Sequence, residues 1–289
     1  PYGDLARGRR SNIRVYRPEI GIWTQDGEEL TCAQCAKLLG SLYKSGYVKE
    51  VLTLLRDRNY IRAEELGASP NLLVMENGVY DLESGEFGPF RPGIHAVLRI
   101  PIRYDPDARC PKILKFLKEV VPKHVDAIVE LIGYCLYRRY VIATFVVLVG
   151  KGRNGKSTLL GLIIDFLGPD NVSNVALQQL GQDRFAAGQL HGKLANISGD
   201  IPSKPIKYSG WIKQLTGGDM VTTQLKYVNL FHFRNFAKLI FSANEVPPTY
   251  DVSDAFYRRP MLIEFPNTFP KGDPKTDPRI LDKITTPKE

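Results

Sequence analysis

A glycine-rich stretch between an apolar run and a helical pattern limits what this chain can fold into more than any other feature. Residues 150–158 read GKGRNGKST and fit the pattern G-x-x-x-x-G-K-[ST]. The run 143–149 before it has the length and apolar character of a buried strand. Residues 158–167 after it follow a helical pattern that ends at Gly168-Pro169. Strand, loop and helix in this order predict a phosphate-binding loop.

Each residue type in this loop has a physical role in holding a nucleoside triphosphate. The glycines let backbone N–H groups turn toward phosphate oxygens, Lys156 reaches the β- and γ-phosphates, and the Ser157 hydroxyl binds Mg²⁺. The positive end of the following helix points at the same anion. The predicted nucleotide-binding residues are Gly150, Gly152, Arg153, Asn154, Gly155, Lys156, Ser157 and Thr158.

A phosphate loop also needs an acid that acts on Mg²⁺ and water. The apolar segment 193–197 predicts a short strand that ends shortly before Asp200, which places this carboxylate at the carboxyl end of a strand beside the loop. Asp200 is therefore the predicted acid and, with Ser157, the predicted Mg²⁺ ligand. The alternative is a turn aspartate before Pro202. Asp219 is a weaker rival, because the Thr-Gly-Gly before it is not typical of a strand.

Two more polar features that a phosphate-loop ATPase needs, a sensor and an arginine pair, follow along the chain. The segment 237–242 predicts a second strand that delivers Asn244, whose amide can orient water or sense the γ-phosphate; the alternative is an asparagine that caps the next turn. The pair Arg258-Arg259 suits a finger that reaches a neighbouring subunit's nucleotide, because arginine carries a permanent charge on a forked group. Two arginines can equally form a solvated or ion-paired face. The predicted catalytic residues are Lys156, Asp200, Asn244, Arg258 and Arg259.

The remaining patterns predict an α/β ATPase core with a central parallel sheet behind a mostly helical N-terminal domain. Helical spacing occurs in 28–58, with a break near Ser45-Gly46, and hairpin-type turns occur in 71–90. A further hairpin is predicted at 13–23, closed by residues 25–27. Two more helices are predicted at 112–121 and 125–137. We expect the N-terminal domain to cover residues 1–140 and the phosphate-loop domain to cover residues 141–289.

Composition is consistent with a nucleic-acid partner but does not require one. Lys and Arg number 39 against 31 Asp and Glu, so the formal net charge is +8. No apolar run approaches the ~20 residues that span a bilayer, so we expect no membrane segment and a cytoplasmic location. Cys32 and Cys35 form a CxxC pair, but no second ligand pair favours zinc over ordinary thiols.

Several motifs together resemble the superfamily 3 helicases, and most closely their phage, archaeal-plasmid and poxvirus-type primase-helicases. The specific motifs are GKGRNGKST at 150–158, LIFSANEVP at 239–247 and DAFYRRP at 254–260. The stretches NGVYDLESG at 77–85 and YDPDA at 104–108 are similar to the family's helicase-associated N-terminal domain and are supportive. The resemblance extends from about residue 13 to residue 269.

This resemblance implies an AAA+-like, ATP-dependent replicative DNA helicase of plasmid or viral DNA replication. It implies a ring, usually hexameric, with ATP and Mg²⁺ at subunit interfaces, single-stranded DNA in the pore, 3′-to-5′ unwinding and frequent fusion to a primase-polymerase. Lys156, Ser157 and Asn244 take the family's roles directly. Arg258 and Arg259 both align with the family's arginine finger, and the resemblance does not say which one acts.

The family's pore hairpin lies between the acid strand and the sensor strand, a window that contains residues 220–233 here. Lys226, Tyr227 and His232 interleave basic and aromatic side chains, which suits backbone charge contacts and base stacking on DNA. The alternative is a surface hairpin in which Leu225 and Phe231 face the core.

One departure from the family keeps other functions open. The superfamily often has paired acids, whereas Gly199 precedes a single Asp200 here, and Glu245 is a candidate helper. A DNA-binding or ring-assembly module that is switched by nucleotide and hydrolyses it weakly is one alternative. Another P-loop ATPase, such as a packaging motor or small-molecule kinase, is the other. The order of sensor and then Arg-Arg disfavours a kinase.

Overall fold

The computed structural model describes residues 13–59, 61, 65–67, 69–224, 230–273 and 276–286, with only the backbone of Arg184. The described residues fall into two compact units. The first contains those up to Arg99 together with Leu230 and Phe231, and the second contains the others, from Ile100 onward.

The first unit combines two helices with two small antiparallel sheets. Strands β1 and β2 form one sheet, and β3, β4 and β5 form the other, with Val74, Val79 and Ala96 in a small apolar core. The elements are β1 (Val15–Arg17), β2 (Ile22–Thr24), α1 (Gly27–Leu39), α2 (Ser45–Arg58), β3 (Leu72–Val74), β4 (Val79–Asp81) and β5 (Phe87–Gly88).

The predicted hairpin at 13–23 forms, but the prediction of its closing residues is wrong. The turn between β1 and β2 lies at residues 18–21, where Gly21 has a φ of 73°. Such a positive φ costs glycine little and other residues more. Asp26 instead precedes α1, and its carboxylate accepts hydrogen bonds from Arg17 and Thr24. These bonds lower the pKa of Asp26.

The second unit is an α/β domain. Its first elements are α3 (Pro111–Val120), α4 (Val125–Leu136), β6 (Phe145–Val149), α5 (Lys156–Leu167), β7 (Val172–Ser173), α6 (Leu177–Gln182), α7 (Arg184–Gly188) and β8 (Ala195–Ser198). The chain continues with α8 (Ser209–Gly217), β9 (Met220–Thr223), β10 (Phe231–Arg234), β11 (Lys238–Ala243), α9 (Asp254–Tyr257), β12 (Pro260–Glu264) and α10 (Ile280–Ile284).

A five-stranded sheet in the order β12-β6-β11-β8-β7 forms the centre of this unit, and every neighbouring pair is parallel. The predicted α/β core with a central parallel sheet is therefore confirmed. Strand β11 lies between β6 and β8, so one strand separates the strand before Asp200 from the strand before the loop. Because all strands are parallel, the loops after β6, β8 and β11 still share one edge of the sheet.

The compact units divide earlier in the chain than the boundary expected at residues 140 and 141. Helices α3 and α4 belong to the second unit. The apolar faces of these helices are buried there, with Leu117 and Ile128 fully inaccessible. Sequence periodicity identifies the helices but not the partner against which their faces pack. The assignment of a helicase-associated and an ATPase domain remains a prediction.

The amino edge of the parallel sheet contains a buried lysine. Lys238 opens β11, is 2% exposed, and donates hydrogen bonds to the carbonyl oxygens of Tyr137, Arg139 and Phe236. Its Nζ also lies 4.2 Å from the centre of the Tyr134 ring. Burial lowers the pKa of Lys238 to about 7, whereas the carbonyl oxygens and the ring face favour its charged form. The lysine fixes the segment before β6 to the sheet.

Two further observations concern membranes and metals. In the described ranges, no helix has both the length and the apolar character needed to cross a bilayer. Cys32 and Cys35 lie on α1 as free thiols. The part of the chain that the structure describes contains no group of three or more His, Cys, Asp or Glu side chains arranged to hold a metal ion.

Candidate functional site

The loop between β6 and α5 has the backbone of a phosphate cradle. Gly152, Arg153 and Gly155 have positive φ angles of 100°, 49° and 87°. No backbone N–H in 151–158 donates to another described group, and the first helical bond runs from Leu159 N–H to Gly155 O. These N–H groups include the unpaired donors of the first turn of α5. The cradle can therefore accept several anionic oxygens.

Gly155 is required for two independent reasons. Its φ of 87° is unfavourable for a residue with a side chain, and an added Cβ would lie 2.6 Å from Val120 Cγ1 on α3. At Gly152 only the positive φ favours glycine, because an added Cβ would meet nothing within 4 Å. Helix α3 therefore packs directly behind the loop, a contact that the sequence did not indicate.

Lys156 lies in the cradle with part of its hydrogen-bonding capacity unused. It is 4% exposed, and its Nζ donates to Gly150 O and, at 3.0 Å, to Asn154 Oδ1. Burial lowers the pKa of Lys156, while the nearby negative charge of Asp200 opposes this shift. An ammonium has three N–H donors, so one remains available for a phosphate oxygen.

The chain after β12 braces the outside of the loop. Phe265 N–H donates to Val149 O at 2.8 Å, and Phe269 N–H donates to Arg153 O at 2.6 Å. The amide of Asn267 donates to Glu119 O at the end of α3, at 2.7 Å. These bonds hold the loop between two segments that are distant in sequence.

Asp200 follows β8 in a left-handed backbone conformation, with a φ of 48°. Asp and Asn tolerate this conformation better than most residues do. Its N–H donates to Ser242 Oγ at 3.1 Å, and the next N–H, of Ile201, donates to Ser242 O at 2.9 Å. Ser242 on β11 thus fixes the backbone at Asp200, whose negative charge acts on Lys156. The sequence prediction missed this role of Ser242, although a polar residue in an apolar strand is a usable signal.

The other predicted residues leave polar atoms free at the same edge. Ser157 is exposed in the first turn of α5, and Asn244 and Glu245 are exposed just after β11. In the described part of the chain, the side chains of Ser157 and Asn244 have no hydrogen-bond partner. Hydroxyl and carboxylate oxygens are ligands that Mg²⁺ prefers. Ser157 and Asp200 could therefore hold Mg²⁺, and the unpaired N–H groups fit a triphosphate.

The two arginines after α9 differ completely in their surroundings. Arg259 is 9% exposed, and its guanidinium donates to Thr216 Oγ1 at 3.1 Å and to Ala255 O. The side chain of Arg258 is exposed and makes no hydrogen bond or ion pair with the described residues. Arg259 is therefore committed to contacts within its own chain, and Arg258 alone of the two is free to reach another molecule.

The predicted hairpin window contains paired strands. Strand β9 pairs with β10, and exposed and buried residues alternate along both. His232 is exposed on β10, and its Nδ1 lies 2.8 Å from Thr222 Oγ1. Phe231 is buried, as the alternative reading expected, whereas Lys226, Tyr227 and Leu225 lie outside the described residues.

Comparisons with known proteins find similarity over most of the chain. A family described as D5 N terminal like matches residues 9–122, and a family of unknown function, DUF5906, matches residues 148–259. Protein L207/L206 of Acanthamoeba polyphaga mimivirus, whose name marks it as a proposed helicase, is 29% identical over 253 residues. That alignment covers 83% of this chain and 26% of the relative. The chain is thus similar to the primase-helicase family of superfamily 3 helicases.

A second viral relative also has a helicase name. Protein 121R of Invertebrate iridescent virus 3, also named as a proposed helicase, is 27% identical over 227 residues, which cover 71% of this chain and 24% of the relative. The chain thus spans about a quarter of the length of these relatives.

The solved structures support the fold. An apo A form of the NrS-1 C-terminal region has a TM-score of 0.55 at 15% identity, over 83% of this chain and 56% of that one. Another apo A form of this region has a TM-score of 0.50 at 20% identity, over 63% and 44%. At these identities the likeness establishes a shared fold.

Proposed function

We propose that this chain is the ATP-hydrolysing motor of a DNA helicase that forms a ring and moves along single-stranded DNA. The observation that carries the proposal is the convergence at one sheet edge of an unpaired phosphate cradle, a partly satisfied Lys156 and the Asp200 carboxylate. The helicase-like relatives support the same reading.

Each residue at this edge has a proposed part in hydrolysis. The N–H groups of residues 151–158 hold the phosphates, and Lys156 neutralises charge that develops on the γ-phosphate. Ser157 and Asp200 hold Mg²⁺, which supplies charge neutralisation between the phosphates when bound. Asn244, at the end of the strand between β6 and β8, orients water or senses the γ-phosphate. Glu245 is exposed beside it as a helper to the single acid.

Arg258 is the proposed finger, acting on the nucleotide of an adjacent subunit. Its exposure and lack of partners among the described residues support this choice over Arg259. A permanent positive charge at the γ-phosphate stabilises the transition state strongly. The proposal implies that the site is complete only between two copies of the chain, as in a hexameric ring.

DNA contact is proposed for the β9–β10 hairpin, through Lys226, Tyr227 and His232. The exposure of His232 supports it, and the net charge of +8 is compatible with a polyanionic partner. A fused or associated primase-polymerase is part of the same proposal, because the chain covers about a quarter of the length of its relatives.

The test is ATP hydrolysis across a protein concentration series, with and without single-stranded DNA. Turnover per subunit should rise steeply with concentration and with DNA, because active sites form between subunits. Turnover that is flat in both variables would contradict the shared site and favour a self-contained P-loop enzyme.

A mixing experiment locates the finger. Arg258→Ala and Asp200→Asn should each be inactive alone, and their mixture should regain activity because some interfaces combine two intact halves. Arg259→Ala mixed with Asp200→Asn is the matched comparison, since Arg259 acts within its own chain. Absence of rescue with Arg258→Ala would mean that the arginine does not act across subunits.

A nucleotide-dependent switch with weak hydrolysis is the second candidate, favoured by the single acid at position 200. An added Cβ at Gly199 would meet Ser242 Oγ at 3.7 Å and Leu160 Cδ1 at 3.9 Å, which are ordinary contacts. The fold therefore has room at position 199 for the start of a side chain that the chain lacks. Tight ATP binding with negligible turnover at every DNA concentration would establish the switch.

A further inference from the structure

Asn154 has an unusual position inside the phosphate loop. Its side chain is 2% exposed, and its Oδ1 accepts a hydrogen bond from Lys156 Nζ at 3.0 Å. Its Nδ2 is buried and has no partner among the described residues. The reverse orientation of the amide would turn the NH₂ donors toward an ammonium, so the lysine determines how this amide lies. Because a buried donor without an acceptor weakens folding, packing does not explain the choice of asparagine.

Gly150 lies directly against this amide. Its φ is outside the left-handed region, so backbone conformation does not require glycine there. An added Cβ would instead lie 2.0 Å from Asn154 Nδ2, and at 3.0 and 3.1 Å from Phe265 O and Cβ. The closest obstacle to a side chain at position 150 is therefore the Asn154 amide.

We propose that Asn154 is a positioning residue that holds the Lys156 ammonium toward the phosphates, and that residue 150 is glycine because this amide fills the space of its side chain. The loop thus contains a clamp of three residues. Gly150 supplies one acceptor through its carbonyl oxygen and space for the amide, Asn154 supplies the second acceptor, and Lys156 is fixed between them. The role toward the phosphates rests on the proposed function, whereas the dependence of residue 150 on residue 154 does not.

The dependence is tested without nucleotide by a double-mutant cycle on thermal unfolding. Gly150→Ala should lower the Tm by several degrees, because overpacking costs about 1–3 kcal/mol per site. In the Asn154→Ala background the same substitution should lower the Tm by less than half as much, with the Phe265 contacts accounting for the remainder. Equal losses in both backgrounds would overturn the steric half of the proposal.

Steady-state kinetics test the positioning half. Asn154→Ala alone should lower kcat about 10-fold or more and change KM less than about 3-fold, because a charge fixed on the γ-phosphate matters most in the transition state. Asn154→Asp keeps the acceptor and should preserve more of kcat, but its negative charge near the phosphates should raise KM. A wild-type kcat in Asn154→Ala would overturn the positioning role.

Asn171→Ala is the matched control. Asn171 is a buried asparagine beyond the other end of α5, and its Nδ2 donates to Leu167 O at 2.7 Å. This variant should lower the Tm while leaving kcat of the folded protein unchanged, so a fall in kcat that merely follows stability would appear in both asparagine variants and contradict the proposal.

The two failures can be told apart. If the wild-type chain with DNA hydrolyses no ATP, the proposed function fails and the positioning role fails with it, while the thermal cycle still decides the dependence of Gly150 on Asn154. If the wild type hydrolyses ATP and Asn154→Ala does so equally well, only the positioning role is overturned.

Discussion

Two buried lysines lie at opposite edges of the same parallel sheet and differ in how fully their ammonium groups are satisfied. Lys238, at the amino edge, donates to three carbonyl oxygens. Lys156, at the carboxyl edge, donates to Gly150 O and Asn154 Oδ1. An ammonium has three donors, so the first is complete and the second lacks one partner among the described residues.

This difference distinguishes a buried lysine that only stabilises the fold from one that can also bind a ligand. Burial lowers the pKa of both lysines, so desolvation alone does not distinguish them. The number of hydrogen-bond acceptors around each ammonium does distinguish them, because an ammonium with three acceptors has no donor left for a ligand. The two arginines differ in the same way, because the Arg259 guanidinium is satisfied inside the chain and the exposed Arg258 side chain has no partner in the described part.

The largest effect is expected at the incomplete lysine. Lys156→Ala should lower ATP turnover by at least about 100-fold, because the γ-phosphate loses its main charge partner. The loss of thermal stability should be smaller than at Lys238, since two acceptors, Gly150 O and Asn154 Oδ1, lose their donor here and three do at Lys238. Near-normal turnover, measured beside a Lys193→Ala control at the surface, would remove Lys156 from the site.

At the complete lysine we expect the opposite pattern. Lys238→Met should lower the free energy of unfolding by about 2–4 kcal/mol, because buried carbonyl oxygens lose their donor. Turnover per folded molecule should stay within about 2-fold of wild type. Chemical denaturation measures the first quantity and steady-state hydrolysis the second. Lys193→Met is the control, because that ammonium bonds Asp170 O at the surface. A stable but inactive Lys238→Met would break the comparison.

Substitutions of Arg258 and Arg259 should test the same comparison between satisfied and unsatisfied charges. Arg259→Ala should lower the free energy of unfolding by about 1–3 kcal/mol, because Thr216 Oγ1 and Ala255 O lose a buried donor. Arg258→Ala should stay within about 0.5 kcal/mol of wild type, as is usual for exposed side chains. Denaturant titrations of both variants measure the difference. Equal stability losses would mean that exposure does not separate their roles.

A smaller effect is expected from a titratable group away from the phosphate edge. His191, in the turn before β8, packs edge-on against the Phe233 ring at 5.2 Å, and burial lowers its pKa from 6.5 to about 4. The unfolded chain therefore binds the proton first as pH falls. The free energy of unfolding should drop by roughly 1–3 kcal/mol between pH 6.5 and 4. The pH dependence from this histidine vanishes roughly one pH unit above 6.5, where it is neutral in both the folded and the unfolded chain.

His191→Gln provides the measurement. Denaturant titrations at several pH values should give a shallower acid dependence in the variant than in wild type. If both proteins lose stability in parallel over this interval, carboxylates and not His191 account for the acid sensitivity.

Features contained in one short segment could be predicted from the sequence, whereas features that depend on contacts between distant segments could not. The loop at 150–158 and its flanking strand and helix were predictable because their chemistry lies within one short segment. The placement of β11 between β6 and β8 was not, because strand order depends on packing across the chain. The role of Lys238 was invisible for the same reason, since Tyr137 and Arg139 lie about a hundred residues upstream.

The site residues show the same division. Asp200 and Asn244 follow predicted strands, so their edge of the sheet could be inferred. Arg258 and Arg259 are adjacent and chemically identical, and only the packing of Arg259 on Thr216 separates them. The closing turn of the first hairpin was misplaced because Gln25-Asp26-Gly27 is typical of a turn, whereas here Asp26 precedes a helix.

The left-handed backbone of Asp200 governs how an inactive reference protein should be made. Alanine or glutamate at this position would add conformational strain to the loss of the carboxylate, and the two effects could not be separated. Asparagine tolerates the conformation and keeps the shape of the side chain. Asp200→Asn is therefore the substitution suited to trapping bound nucleotide for structural work, and its folding should match that of the wild type.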